Sequence, residues 1–292
     1  IENGEISSVN VYGELKRNTP APDNSFFNVA SLTKPIVMML TLTLVSNGDW
    51  DMDEPLANYW IDPDIKDDPF HKILTTRHVL TQQTGFDNWR WNNETQKLRF
   101  NFEPGTDCKY SGEGFNYLRN ALENKFNRTL PELTDSLVFK PLGMNETSFL
   151  WDENLHRSRY AEEHNKDGEP YNLRKRTDRA SAADDIITTI YDYSMFAVNV
   201  MKSKGLSEEI YNDMITPQVS VKENAAYGLC WYIKSNYYGD EPALTHTGGD
   251  AGVATLVALL PESKRGIIIF VNSDNGFEII TPIVEKFRGI DD

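Results

Sequence analysis

The sequence predicts an α+β protein: an antiparallel β-sheet flanked by helices and carrying a mainly helical insertion. Three observations predict it. The most apolar stretch, Ile36 to Val45, carries no charge and suits a helix buried on most sides. From about Asp51 to Pro217 the periodicity is mostly helical, with long irregular connections. After Pro217 it changes to alternation. Residues 1–50 and 218–292 are therefore assigned to a sheet domain and residues 51–217 to a mainly helical one.

Taken in order, Asn3-Gly4 is a strong hairpin signal with only Ile1 and Glu2 before it. The run holding Ile6, Val9, Val11 and Leu15 reads as its second strand, so the partner strand is expected upstream of residue 1. Thr19 to Asn24 forms a loop. The first long helix should begin close to Ser31, because Pro35 is tolerated only in a first turn, and should stop at Asn47-Gly48. Asp53-Glu54-Pro55-Leu56 looks like a helix start, and Thr76 to Thr81 a short helix closed by Thr84-Gly85. A loop with Trp89 and Trp91 follows. After the turn at Glu103 to Thr106, helices are predicted from about Glu113 to Lys125 and from Leu130 to Val138. The stretch Ala180 to Met201 starts with small residues and continues as an amphipathic helix through Ile187, Ile190, Tyr193 and Phe196. Tyr227 to Ile233, Ala243 to His246, Val253 to Leu260 and Gly266 to Val271 read as strands of one antiparallel sheet, closed by a helix from Phe277 to Arg288.

At 292 residues the chain can bury a sizeable core, and 25% charged against 39% apolar residues describes an ordinary globular protein. A net charge of −15 argues against nucleic acid or an anionic membrane surface as partner. The basic run Leu173-Arg174-Lys175-Arg176 is too small to reverse that and reads as a loop face. No apolar run reaches the roughly 20 residues that span a bilayer. Cys108 and Cys230 lie far apart without a Cys-x-x-Cys pattern and read as buried thiols. His71, His78, His156 and His164 lack metal-ligand spacing, so neither metal nor cofactor is expected. Sequon triplets at Asn93, Asn127 and Asn145 arise readily by chance. An acidic chain without an exposed apolar helix is expected to be a monomer.

Three short motifs carry chemistry. In Ser31-Leu32-Thr33-Lys34 the hydroxyl and amine, spaced i, i+3 at a helix start, share one face. The hydroxyl then sits at the positive end of the helix dipole. Alone, the tetrapeptide is better read as a capping serine and a solvated lysine, both common at helix starts. In Tyr110-Ser111-Gly112 a phenol near an ammonium has its pKa lowered and can relay a proton. In His246-Thr247-Gly248-Gly249 paired glycines let backbone approach a ligand closely, and an N–H exposed there can face a developing oxyanion.

In this order and context, the three motifs resemble those of the serine β-lactamase and penicillin-binding superfamily, nearest its class C branch with the related DD-peptidases and esterases. Thr76 to Phe86, Glu103 to Tyr117, Pro141 to Met144 and Gly248 to Gly252 strengthen the likeness, which covers nearly the whole chain. The resemblance implies Ser31 as nucleophile and Lys34 as its proton acceptor or electrostatic partner. It implies Tyr110 as the proton carrier to the leaving group, and His246 where many relatives place lysine. The N–H groups of Ser31 and Gly249 would form the oxyanion hole, with Gly112, Thr247 and Gly248 lining the substrate. Which of Lys34 and Tyr110 is the base stays open. The resemblance further implies an extracytoplasmic protein and a family N-terminal helix and first strand upstream of Asn3-Gly4.

Two departures steer the functional expectation. Gly112 stands where the middle motif usually ends in Asn, and His246 begins the last motif. Both weaken the case for β-lactam hydrolysis; the histidine, which the resemblance associates with peptidase and esterase relatives, implies peptide or ester substrates, whereas Gly112 feeds the alternative of a binding protein. The expected function is a serine hydrolase of DD-peptidase or esterase type acting through an acyl-enzyme on Ser31. The alternative is a binding or sensor homologue that does not turn over or deacylates slowly.

Overall fold

The computed structural model describes residues 1–173 and 175–289; Arg174, within the basic run, lies outside them. Two small strands open the chain, β1 (Glu14–Lys16) and β2 (Thr19–Pro20), paired with each other. Next comes β3 (Phe26–Asn28), which pairs antiparallel with β4 (Ile187–Thr189). A one-turn 3-10 helix over Ala30–Leu32 then feeds α1 (Thr33–Ser46). Eleven of the 14 residues of α1 are buried, so even its polar positions are carried into the interior.

The middle of the chain is helical: α2 (Thr76–Leu80), α3 (Gly112–Phe126), α4 (Leu130–Thr134), α5 (Lys140–Leu142), α6 (Glu153–His156), α7 (Ile190–Met201) and α8 (Glu208–Ile215). Between α4 and α5 the helix widens into a π stretch over Asp135–Phe139, so the predicted helix from Leu130 runs on until Gly143 turns left-handed at φ 76°. The sheet follows as one antiparallel meander of β5 (Val219–Lys222), β6 (Ala225–Tyr227), β7 (Tyr232–Tyr238), β8 (Glu241–Asp250), β9 (Val253–Leu260) and β10 (Arg265–Val271). The closing helix, α9 (Gly276–Phe287), packs on β9 and β10. One apolar cluster runs from α1 through α3 and α7 into β9, which places α1 at the centre of the molecule.

Three local expectations are corrected. Asn3-Gly4 does turn the chain, with Glu2 and Glu5 exchanging backbone bonds of 3.0 Å, but residues 6–12 form no strand. Ile6, Val9 and Val11 are only half-buried, so no face rewards extension, and Ile1 pairs instead with Gly266 of β10. Tyr227 to Ile233 is not one strand. It breaks because Cys230 takes a left-handed φ of 70° and donates its N–H to the Leu80 carbonyl at 2.6 Å. The helix predicted from Ala180 begins only at Ile190, capped by the Thr189 side chain. Backbone groups of the preceding segment are taken by the α1 region instead: the Ile186 N–H donates to Thr33 Oγ1 at 3.1 Å, and the Ile186 carbonyl accepts from the Val29 N–H at 3.1 Å. Both cysteines are free thiols, Cys230 buried and Cys108 half-buried. Among the described residues no helix is long and apolar enough to cross a membrane.

Candidate active site

Ser31 stands at the junction of β3 and α1, where the backbone is held from both sides. Ala30 before it is left-handed at φ 46°, a costly conformation for a residue with a Cβ, and its N–H donates to Asn28 Oδ1 at 2.7 Å. The Val29 carbonyl accepts from Thr255 Oγ1 of β9 at 3.0 Å. Strand β9 and the segment before β4 thus fix the turn that presents Ser31.

One turn later, Lys34 is wholly buried. Its Nζ donates to Ser31 Oγ at 3.0 Å and to the Ala183 carbonyl at 2.9 Å. Loss of water around the ammonium lowers its pKa to about 8, with Asp184 opposing the shift. The solvated lysine that the tetrapeptide alone would allow is therefore absent from the structure.

Tyr110 enters from the segment before α3. Ser111 caps that helix, accepting from the Gly114 N–H at 3.1 Å, and donates its own N–H to Gln82 Oε1 at 2.8 Å. Lys34 Nζ lies 4.8 Å from the centre of the Tyr110 ring. The predicted fall in the Tyr110 pKa is corrected: burial drives it upward, and the hydrogen bond with Ser31 offsets that only in part.

The third segment is the end of β8. Strand β7 pairs with β8 only as far as Tyr232 opposite Thr245, while β9 pairs with it to Asp250. From His246 onward one edge of β8 is therefore unpaired. His246 is buried, with its ring 6.4 Å from that of Tyr110 and its Nδ1 2.9 Å from the Thr247 carbonyl. Burial, reinforced by Lys34, lowers its pKa to about 3, so the ring is neutral. Gly248 faces inward: a Cβ there would lie 2.3 Å from Thr255 Oγ1, 2.5 Å from the Val29 carbonyl and 3.1 Å from the Ser31 nitrogen. Only glycine lets this strand approach Ser31 so closely. Thr247 and Gly249 alternate with these residues and are exposed.

Gly112 lies at the start of α3 beneath an indole. A Cβ on it would meet Trp89 Cη2 at 2.7 Å, so Trp89 fills the space a side chain at 112 would need. The structure thus gathers Ser31, Lys34, Tyr110, His246 and Gly248 at one place, with Gly112 flanking and Thr247 and Gly249 on the open strand edge. Sequence reasoning missed the Ala183 carbonyl and the strained Ala30. A carbonyl carries no residue signature, and alanine gives no hint of a left-handed backbone. Trp89 was visible only as part of an aromatic loop. Among the described residues no group of three or more His, Cys, Asp or Glu could hold a metal ion.

A buried amine on a helix-start serine, a tyrosine opposite and a glycine strand edge beside them thus meet within this α+β frame. The chain belongs to the beta-lactamase family, whose profile it matches over residues 1–281. It is 28% identical over 204 residues to the esterase EstB of Burkholderia gladioli, covering 59% of this chain and 50% of that protein. The match therefore spans half the length of that esterase. It is also 22% identical to the D-alanyl-D-alanine-carboxypeptidase/endopeptidase AmpH of Escherichia coli K12, covering 89% of this chain and 74% of that one. The fold matches the crystal structure of a penicillin binding protein from Bacillus halodurans with a TM-score of 0.84 at 21% identity, over 98% of this chain and 94% of that chain.

Proposed function

We propose that this chain is a serine hydrolase of DD-peptidase or esterase type that forms and hydrolyses an acyl-enzyme on Ser31. The observation that carries the reading is the 3.0 Å bond between Ser31 Oγ and a lysine amine stripped of water. With a pKa near 8, a useful fraction of Lys34 is neutral at physiological pH and takes the Ser31 proton as Oγ attacks an ester or amide carbonyl. Lys34, not Tyr110, is then the base. Tyr110 acts as a neutral phenol, passing a proton from Lys34 to the leaving group. The Ser31 N–H, in a first helical turn without an intrahelical partner, and the Gly249 N–H on the open β8 edge stabilise the oxyanion. Water then attacks the acyl-enzyme by the reverse proton route, and no step draws on a metal.

On this reading the site lies where the sheet domain of residues 1–50 and 218–292 meets the helical domain of 51–217. Kinship with penicillin-binding proteins supports an extracytoplasmic location, and the acidic surface supports a monomer. The test is intact mass after exposure to a fluorophosphonate and, separately, a penicillin. One adduct that disappears in Ser31→Ala is expected, and labelling by the penicillin favours a peptidase-type site. Absence of any adduct on folded protein overturns the proposal.

Trp89 over Gly112 favours a second reading, a binding or sensor homologue that acylates without turnover, because the side chain that would grip the substrate there is replaced by an indole. A stoichiometric burst with no later turnover on esters and peptides selects it.

A further inference from the structure

Beside the candidate site, two guanidinium groups converge on a single neutral oxygen. Asn120 Oδ1 accepts from Arg119 Nη2 at 3.0 Å and from Arg179 Nη2 at 2.7 Å. Arg119 is only 7% exposed, and its buried Nε has no hydrogen-bond acceptor; the nearest carboxylate oxygen, on Glu123, is 3.8 Å away. Arg179 pairs with no carboxylate among the described residues. Burial first, then the neighbouring Arg179, lowers the Arg119 pKa to about 10, with Glu123 and Asp185 opposing the shift.

Both arginines line a groove of about 550 Å³ whose other wall is the stacked pair Trp89 and Trp91, ring centres 4.9 Å apart and planes 8° from parallel. Trp91 is 59% exposed, a flat apolar plate open to the groove. The acidic groups on the groove, Asp62 and Glu113, are already taken by Arg90 at 3.0 and 2.9 Å. Arg176, also on the groove, is engaged by Asp185 at 2.8 Å. Arg119 itself is held from the protein side, with Nη1 donating to the Ala180 carbonyl and Nε within ion-pair range of Glu123, so the cation left without a carboxylate on the groove is Arg179, within a chain whose net charge is −15.

The groove is lined from the same segments that carry the candidate machinery. Trp89 covers Gly112, two residues from Tyr110, and Ser181 lies two residues from the carbonyl that holds Lys34. Asn116, on the groove floor, ties the two together by accepting from the Ala182 N–H at 3.0 Å.

We infer that this groove is a specificity subsite for substrates bearing a carboxylate remote from the scissile carbonyl, with a planar or apolar spacer lying on Trp89 and Trp91. The inference rests on the Ser31 hydrolase reading for its role in turnover, though not for binding itself. The exposed Arg179 guanidinium can receive a carboxylate in bidentate fashion, and that carboxylate also offsets the repulsion between Arg179 and the buried Arg119. The tryptophan plates supply apolar contact that a neutral analogue shares, so the charge alone sets the preference.

The test separates binding from catalysis. On Ser31→Ala protein, calorimetry compares 4-phenylbutyrate with its neutral isostere 4-phenylbutyramide. The carboxylate is expected to bind at least about tenfold more tightly, with quenching of tryptophan fluorescence, and the difference should vanish in Arg179→Gln, an exposed position where folding is not at stake. Equal affinity for the two probes, or a preference that survives Arg179→Gln, overturns the inference. In the unmutated enzyme, 4-nitrophenyl hydrogen adipate should be favoured over 4-nitrophenyl methyl adipate in kcat/KM by a similar factor, falling toward one in Arg179→Gln. If neither ester is turned over, the hydrolase reading fails while calorimetry still decides the groove.

Discussion

Lys34 Nζ lies 3.0 Å from Ser31 Oγ at the base of a helix so buried that the amine has no contact with water. Burial alone would be a defect in a structural lysine. Next to a hydroxyl at a helix start it becomes a means of keeping a fraction of the amine uncharged at neutral pH.

The pH dependence of acylation follows from this pair. Lys34 must be neutral to accept a proton, and its pKa is lowered to about 8. Acylation should rise about tenfold per pH unit below 8 and level off above it. His246, held near 3, contributes no inflection around 6.5. Stopped-flow labelling with a chromogenic ester between pH 5.5 and 9.5 checks both, and a second inflection near 6.5 would show that His246 titrates during the reaction.

Replacing the amine should stabilise the fold while removing the chemistry. A lysine that titrates at an ordinary 10.5 when unfolded and about 8 when folded is penalised by ~3 kcal/mol at neutral pH. Lys34→Met escapes that penalty and loses two hydrogen bonds worth about 1 kcal/mol each, a net gain of roughly 1 kcal/mol. The sign is set by the lowered pKa: the penalty is complete below pH 8 and fades as pH rises toward 10.5. Urea unfolding should show Lys34→Met more stable at pH 7 and without advantage at pH 10, and acylation should be abolished at both.

The two glycines at the end of β8 should respond unequally. Gly248→Ala drives a methyl group into Thr255 and the Val29 carbonyl, moving the strand from Ser31, and should cost about 100-fold in acylation. At Gly249 the nearest atom to an added Cβ is Phe277 Cε2 at 3.8 Å, so Gly249→Ala should cost far less. Labelling kinetics of the two variants, compared at equal thermal stability, decide this; equal losses would remove close approach as the reason for Gly248.

At the start of α3, Gly112→Ala should displace Trp89, break its stack on Trp91 and cost about 1–3 kcal/mol by overpacking. Adding Trp89→Ala should recover most of that loss, a coupling that a double-mutant cycle measures. Additive effects would show that Trp89 yields freely.

Much of this was legible from residue types. The charge-free run after Pro35 marked α1, turn residues on either side marked β9 from Val253 to Leu260, and the three motifs are brought together. What escaped detection depended on partners remote in sequence. Ala180 to Ile186 has helical composition, yet Lys34, Val29 and Thr33 take its backbone groups. The Tyr110 pKa went the other way because burial, invisible in a motif, outweighs the hydrogen bond with Ser31. The kink at Cys230 depends on the Leu80 carbonyl, 150 positions earlier.

Trp89 over Gly112 has a consequence for how such a protein diversifies. The wall that would come from a helix residue is supplied by a loop, anchored where the Gly112 N–H is shared between the Asn88 carbonyl at 3.1 Å and its side-chain oxygen at 2.8 Å. A helix residue can change only within the space its neighbours leave. A loop can be exchanged whole, leaving Ser31, Lys34 and the strand edge undisturbed. On the hydrolase reading proposed above, grafting residues 88–102 between relatives, with the core contacts of Leu98 and Phe100 kept, should transfer selectivity without rebuilding the residues around Ser31.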